Sequence, residues 1–236
     1  MGINNGNGIY KGSDCPNDFS GMSGAVVLPL KVDGGGNLTN NGVNLTVSGQ
    51  NAWAEGNNTK SLGYATHAEG DSTESASNCS HAEGRSSKSS GFASHAEGLF
   101  SQATASGAHA EGSNTEATAQ NAHAEGNYSK AAGNHSHAEG SACEANGVRA
   151  HAGGNTCISN GSDSFTHGSY LKTTSDKCAV FGEYNADEAA YLIVGGGSAE
   201  DARKNVFKID KSGILWFMHN GVLTNLSSLL NSHNIT

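Results

Sequence analysis

Apolar and polar positions along this chain keep neither a helical nor a continuous two-residue rhythm; they repeat every 14 residues. The string His-Ala-Glu-Gly occurs at 67–70, 81–84, 95–98, 109–112, 123–126 and 137–140. Trp53-Ala54-Glu55-Gly56 lies one period earlier and His151-Ala152-Gly153-Gly154 one period later. Phe165-Thr166-His167-Gly168 and Ala179-Val180-Phe181-Gly182 keep the glycine, and Gly196 falls on the same count, giving eleven such glycines from Gly56. An unvarying period predicts identical units stacked in register. Helical-hairpin repeats need roughly 30 residues or more. A 14-residue unit suits one coil of a solenoid with two short strands and two turns. Successive coils would then pair as parallel strands about 4.8 Å apart, and eleven would make a rod about 50 Å long.

Within each unit the alternation is that of a strand. Thr59, Thr73, Ser87, Ser101, Thr115, Ser129, Cys143 and Cys157 form one small-residue column. Ser61, Ser75, Ser89, Ala103, Ala117, Ala131, Ala145 and Ser159 form another, two residues on. Between them run Lys60, Glu74, Lys88, Gln102, Glu116, Lys130 and Glu144, a charge column whose signs alternate except at the Gln. Stacked neighbours there attract, so this column is expected outside and the small columns inside. Ala68 and its equivalents point away from His67 and Glu69 and are expected to fill the interior. A core of Ala, Ser, Thr and Gly buries little apolar area to set against the ordering of each coil. Either the backbone ladder supplies unusual stability or the His/Glu face is covered by another chain, and the second is the favoured expectation.

Composition sharpens this picture. Of 236 residues 33 are glycine and 2 proline, and aromatics make up 6%. Collagen would need glycine at every third position with abundant proline. No apolar run approaches the roughly 18 residues of a membrane span, and no secretory signal peptide is visible in the first 24 residues. A net charge of −9 with scattered bases makes a poor nucleic-acid binder, and no nucleic-acid partner is expected. Five cysteines show no disulfide framework; Cys143 and Cys157 read as small interior fillers, while Cys15, Cys79 and Cys178 form no pattern.

The chemistry-bearing residues form two columns: His67, His81, His95, His109, His123, His137 and His151 beside Glu55, Glu69, Glu83, Glu97, Glu111, Glu125 and Glu139. The spacing puts each His and Glu on one side of a strand, about 6.5–7 Å apart along the chain. The first reading is a structural ladder at a subunit interface, in which each polar group finds a partner. A solvated face and a metal-binding stack remain alternatives. Catalysis is disfavoured, because an active site needs one singular environment and this pair recurs identically in six coils. No catalytic residue, metal or cofactor is expected. Carboxylate partners would raise the folded histidine pKa, so that part of the stability would be lost as pH rises.

Ser80-His81-Ala82-Glu83-Gly84 and Ser94-His95-Ala96-Glu97-Gly98, with second glycines at 63, 91, 133, 147 and 161, resemble the YadA-like head repeat of trimeric autotransporter adhesins. That family's Ser-Val-Ala-Ile-Gly carries Val and Ile where this chain has His and Glu, side chains that help bury the family's trimer contacts. The resemblance covers about residues 49–182 and implies an all-β, left-handed parallel β-roll solenoid forming a homotrimer. The His-Ala-Glu-Gly form, followed by Tyr184-Asn185, Tyr191-Leu192-Ile193-Val194-Gly195, Arg203-Lys204-Asn205-Val206-Phe207 and Gly213-Ile214-Leu215-Trp216-Phe217, is similar to phage tail-fibre and neck-appendage proteins of Gram-positive hosts. No stalk, membrane anchor or room for a self-cleaving chaperone domain is expected.

Residues 1–48, Gly- and Asn-rich and not strictly on the repeat, read as an N-terminal attachment or capping region. Within it 25–32 and 45–47 predict strands, and Asp33-Gly34 and Asn41-Gly42 turns. Residues 49–182 are the roll. Residues 183–236 predict a small β-rich C-terminal cap: a hairpin of Val206–Asp210 and Ile214–Met218 about Lys-Ser-Gly, and a short helix from the spacing of Leu223, Leu226, Leu229 and Leu230. Gly195-Gly196-Gly197 lacks phosphate-loop spacing and is expected to be a turn.

The resemblances imply a non-enzymatic trimeric fibre protein of a phage tail or tail-like particle. It would be part of a virion, act outside cells as spacer and receptor-binding element, contact other tail components, and bind a cell-surface glycan or protein. The alternative is the head of a bacterial trimeric adhesin binding host matrix such as collagen. Ice binding would need a regular outward Thr array, which the mixed, inward column does not offer.

Overall fold

The computed structural model describes residues 31–32, 38–39 and 45–232. It is an all-β parallel solenoid of 14-residue coils with one short helix, Leu226–Ser232. Most full coils contribute a five-residue strand such as His109–Ser113 and a two-residue strand such as Glu116–Ala117; the coil at His81–Ala82 has only two residues in its first strand. The long strands stack into one ladder, His95 on His109 on His123, and the short ones into a second, Gln102 on Glu116 on Lys130.

The expected interior is the observed one. Ala54, Ala68, Ala82, Ala96, Ala110, Ala124, Ala138 and Ala152 are fully buried, as are Thr59, Ser61, Ser75, Ser89, Cys143 and Cys157. Both of these cysteines are free. The charge column lies outside: Lys88 Nζ is 2.9 Å and Lys60 Nζ 3.6 Å from the Glu74 carboxylate, and Lys130 pairs with Glu116 at 3.2 Å. Lys88 above all holds the Glu74 carboxyl below its usual range.

A further inward column, immediately before each histidine, was not anticipated: Ala52, Thr66, Ser80, Ser94, Ala108, Ala122, Ser136, Ala150 and Ser164 are buried. These residues face the second small column across the roll, five positions away. Where one partner is a hydroxyl the other usually is too: Ser61–Thr66 at 2.7 Å, Ser75–Ser80 at 2.8 Å, Ser89–Ser94 at 2.6 Å and Ser159–Ser164 at 2.7 Å. Elsewhere both partners are alanine, as in Ala103/Ala108, Ala117/Ala122 and Ala145/Ala150. A narrow interior favours this matching, since a buried hydroxyl without a partner costs about 1–3 kcal/mol, although the threonine hydroxyls of Thr59, Thr73 and Thr115 are buried without one. Ala131/Ser136 breaks the rule, and the buried Ser136 Oγ has no hydrogen-bond partner. Ser136→Ala is therefore expected to stabilise the chain by about 1 kcal/mol in urea unfolding. A loss of stability would contradict the matching argument.

The corners explain the period. Every seventh residue from Asn51 to Tyr184 has a positive φ near +55°, and in this series only Gly107 is glycine. Each coil thus turns twice through a left-handed residue. The corner amide donates to a carbonyl one coil below, as in Tyr128 N–H to Ser113 O at 2.9 Å and His135 N–H to Gln120 O at 2.9 Å. A left-handed L-residue costs about 1–2 kcal/mol; the inter-coil hydrogen bond at each corner offsets it.

Both ends differ from expectation. Thr46–Val47 already pairs in register with Lys60–Ser61, so the 14-residue count begins before residue 49. Leu38–Thr39 pairs with Trp53–Ala54, one residue out of step, and Lys31–Val32 folds antiparallel against it. Residues 25–30, Cys15 and both N-terminal turn signals lie outside the described residues. At the other end Gly182 pairs with Gly195, not Gly196. The last coil is one residue short, and Gly196 shares the glycine count without sharing its place. Gly195 and Gly196 lie inside the strand Ala190–Gly196 rather than in a turn. Extended pairing against the preceding coil outweighs the turn preference of three glycines.

That strand then leads antiparallel into Asn205–Asp210, Leu215–His219 and Val222–Asn225. The expected hairpin and helix are present. Asp210 caps the hairpin turn: its carboxylate accepts from the Ser212 hydroxyl and amide, the Ile214 amide and the Trp216 indole, which holds its pKa at about 2.

Candidate functional site: the histidine–glutamate face

The long strands carry the candidate residues to one face. Because the strands are parallel and in register, each histidine lies directly over the next. Ring centroids from His67 to His137 are 4.7–4.8 Å apart and the rings are within 12° of parallel. Beside them runs the glutamate column. His67, His81, His95 and His109 approach Glu69, Glu83, Glu97 and Glu111 of their own strands at 3.5–3.7 Å. Farther along, the pairing shifts to the previous coil: His137 lies 3.6 Å from Glu125 and His151 3.3 Å from Glu139.

These contacts leave the face incomplete. The Nε2 atoms of His81, His95, His109, His123, His137 and His151 are buried and make no hydrogen bond within the chain. The side chains as wholes are about a third exposed, from 26% at His151 to 37% at His67. Like-charged neighbours outweigh the carboxylates. Burial first, then the adjacent imidazoles, push His81, His123 and His151 below their ordinary pKa. Glu69 is raised, chiefly by the hydrogen bond it shares with Glu55, and Glu125 is raised by burial. The expected upward histidine shift is therefore reversed at these three positions. The spacing of His and Glu along one strand was legible, and these approaches at 3.5–3.7 Å are closer than the 4.7–4.8 Å between stacked ring centroids.

The column is broken once. Gly153 stands in the glutamate column, and His167 takes that position in the next coil. His151 turns its ring 81° from His137, and Phe165 continues the histidine column at 4.6 Å. His167 was visible in the sequence only as part of a degenerate repeat, because its alignment with Glu139 depends on the missing side chain at 153.

Large apolar side chains also project at one corner series, where Phe100 is 48% and Tyr128 65% exposed. Tyr170 and Tyr184 of that series stack at 4.6 Å. No helix among the described residues is long and apolar enough to cross a membrane. Comparison with protein-family models finds no match, and no curated protein matches the chain.

Proposed function

We propose that this chain is a non-enzymatic fibre element: a left-handed roll that joins two further copies of itself through the histidine–glutamate face. In this reading it serves a phage tail or tail-like particle as a rigid spacer and host-surface receptor-binding element. The supporting observation is the row of buried imidazole nitrogens at His81, His95, His109, His123, His137 and His151 without hydrogen-bond partners in the chain. One such atom is a local defect; a row of them along successive coils is a surface that lacks its partner. A row of identical pairs is also a poor active site and a good building rule.

Sedimentation equilibrium tests the assembly: the expected mass is three times the 24.0 kDa of the chain, and a monomer at micromolar concentration overturns it. For recognition, the exposed Phe100 and Tyr128 offer flat apolar faces suited to a surface glycan or protein. The double variant Phe100→Ala/Tyr128→Ala should lower binding to host bacteria by about tenfold or more, as loss of two aromatic contacts would. Binding to collagen in place of bacterial cells would assign the chain to the adhesin alternative.

A further inference from the structure

The single break in the ladder has the shape of a ligand set. Gly153 is buried and pairs with Glu139 on one side and His167 on the other. Both neighbours lean over the gap it leaves. A Cβ at Gly153 would stand 2.8 Å from Glu139 Oε1 and 2.6 Å from His167 Nδ1. His151, two residues before Gly153, closes the third side: its Nε2 is 3.3 Å from Glu139 Oε1, which is 3.7 Å from His167 Nδ1. One donor atom from each of the three residues lies within 4.8 Å of the other two.

We propose that Glu139, His151 and His167 bind one divalent transition-metal ion of the zinc or nickel class. Ligand atoms about 2.1 Å from a tetrahedral ion are about 3.4 Å apart, close to the two measured separations. Two imidazoles and one carboxylate suit such an ion, and the fourth position stays open to water or another donor. This departs from the expectation that the chain holds no metal.

The regular coils do not offer the same geometry. His81, Glu83 and His95 also lie within 4.8 Å of one another, as do the equivalent groups above them. Their rings, however, stack nearly parallel. A nitrogen lone pair lies in the ring plane, so stacked rings aim their lone pairs side by side instead of at one point. At the gap the His151 ring is turned 35° from that of His167. Phe165 stacks on His151 and takes the place where the next histidine would compete. The missing side chain of Gly153 is the space in which the donors meet. The repeat thus contains the singular environment that identical coils cannot provide. All three ligands belong to one chain.

Calorimetric titration of the full, tag-free chain with Ni²⁺ tests this. The expected result is saturable uptake of one ion per chain and a rise in Tm with the ion present. His167→Gln and His151→Gln should each weaken binding by more than about tenfold, the order expected when a metal site loses support. His95→Gln, in the regular ladder, should leave affinity and stoichiometry unchanged. Gly153→Ala should also weaken binding, since its Cβ occupies the gap. The atoms it meets are the ends of mobile side chains, so the coil itself should fold. Absence of uptake, or uptake of several ions that His167→Gln leaves intact, overturns the proposal. A monomer with the titration intact would remove the trimer and leave this site standing.

Discussion

Gly112→Ala should lower stability by about 3 kcal/mol or more in denaturant unfolding, a large loss for one added methyl group. Two costs combine. The backbone there has φ +106°, which an L side chain rarely adopts, and its Cβ would stand 2.2 Å from the carbonyl oxygen of Gly126 in the next coil. That obstacle is backbone, itself held in the ladder, so it cannot swing aside. The same relation recurs from Gly56 through Gly182, each glycine lying against the carbonyl of the one above. Gly213→Ala provides the comparison: φ is +84° and nothing lies within 4 Å, so only conformational strain of about 1–2 kcal/mol applies. Equal losses in the two variants would show that stacking contributes nothing. Because each coil touches only its neighbours, amide exchange in Gly112→Ala should accelerate mainly across 109–127.

Acidification from pH 8 to about 5.5 should lower Tm, as the stacked imidazoles begin to take up protons. His81 faces His67 and His95 along the column and Glu83 beside it; His123 faces His109, His137, Glu111 and Glu139; His151 faces His137, His167 and Glu139. In all three the folded pKa lies below its ordinary value. Their contribution is therefore present above the unfolded value of about 6.5 and is lost as pH falls from there toward the folded value. Glu69 and Glu125, raised from 4.5, act in the other direction. Their contribution is present at low pH and lost as pH rises through the folded value. Two imidazolium ions 4.8 Å apart repel by about 3.5 kcal/mol at an effective dielectric constant of 20, and by about 1 kcal/mol once solvent screening of part-exposed rings is allowed for. A Tm that climbs through this range would show that the carboxylates dominate the column after all.

The legible parts were those in which one side chain type recurs at one place. Ala68, Ala82 and Ala96 mark the inside because a small apolar residue recurs there level after level, giving way to the larger Thr166 and Val180 only at the end of the roll. Lys60, Glu74 and Lys88 mark the outside because only solvated charges can alternate so freely. The hairpin about Lys211-Ser212-Gly213 and the helix Leu226–Ser232 carry ordinary local signals. The corners were missed because their common property is a backbone angle, adopted by Asn58, Phe100, Tyr128 and Lys177 alike. The Ser61–Thr66 class of pairs was missed for a different reason. Its signal is agreement between two columns five residues apart, which no single column displays. At the candidate site the sequence supplied His151 and Glu139 as members of a series, but His167 joins them only because Gly153 leaves a gap between two coils.

The sequence by itself determined the coil: its length, its inner and outer columns, and the register glycine that lets successive backbones approach. These follow from periodicity, because a repeated residue meets the same surroundings at each level. Only the tertiary structure decided what each histidine feels. Parallel stacking brings the rings of residues 14 positions apart to 4.8 Å, and burial first, then those neighbouring imidazoles, pushes His81, His123 and His151 down instead of up. The structure also decided where the series ends: the last coil is one residue short, so Gly182 meets Gly195 and not Gly196, a pairing set by the hydrogen-bond register between strands and not by a count along the chain.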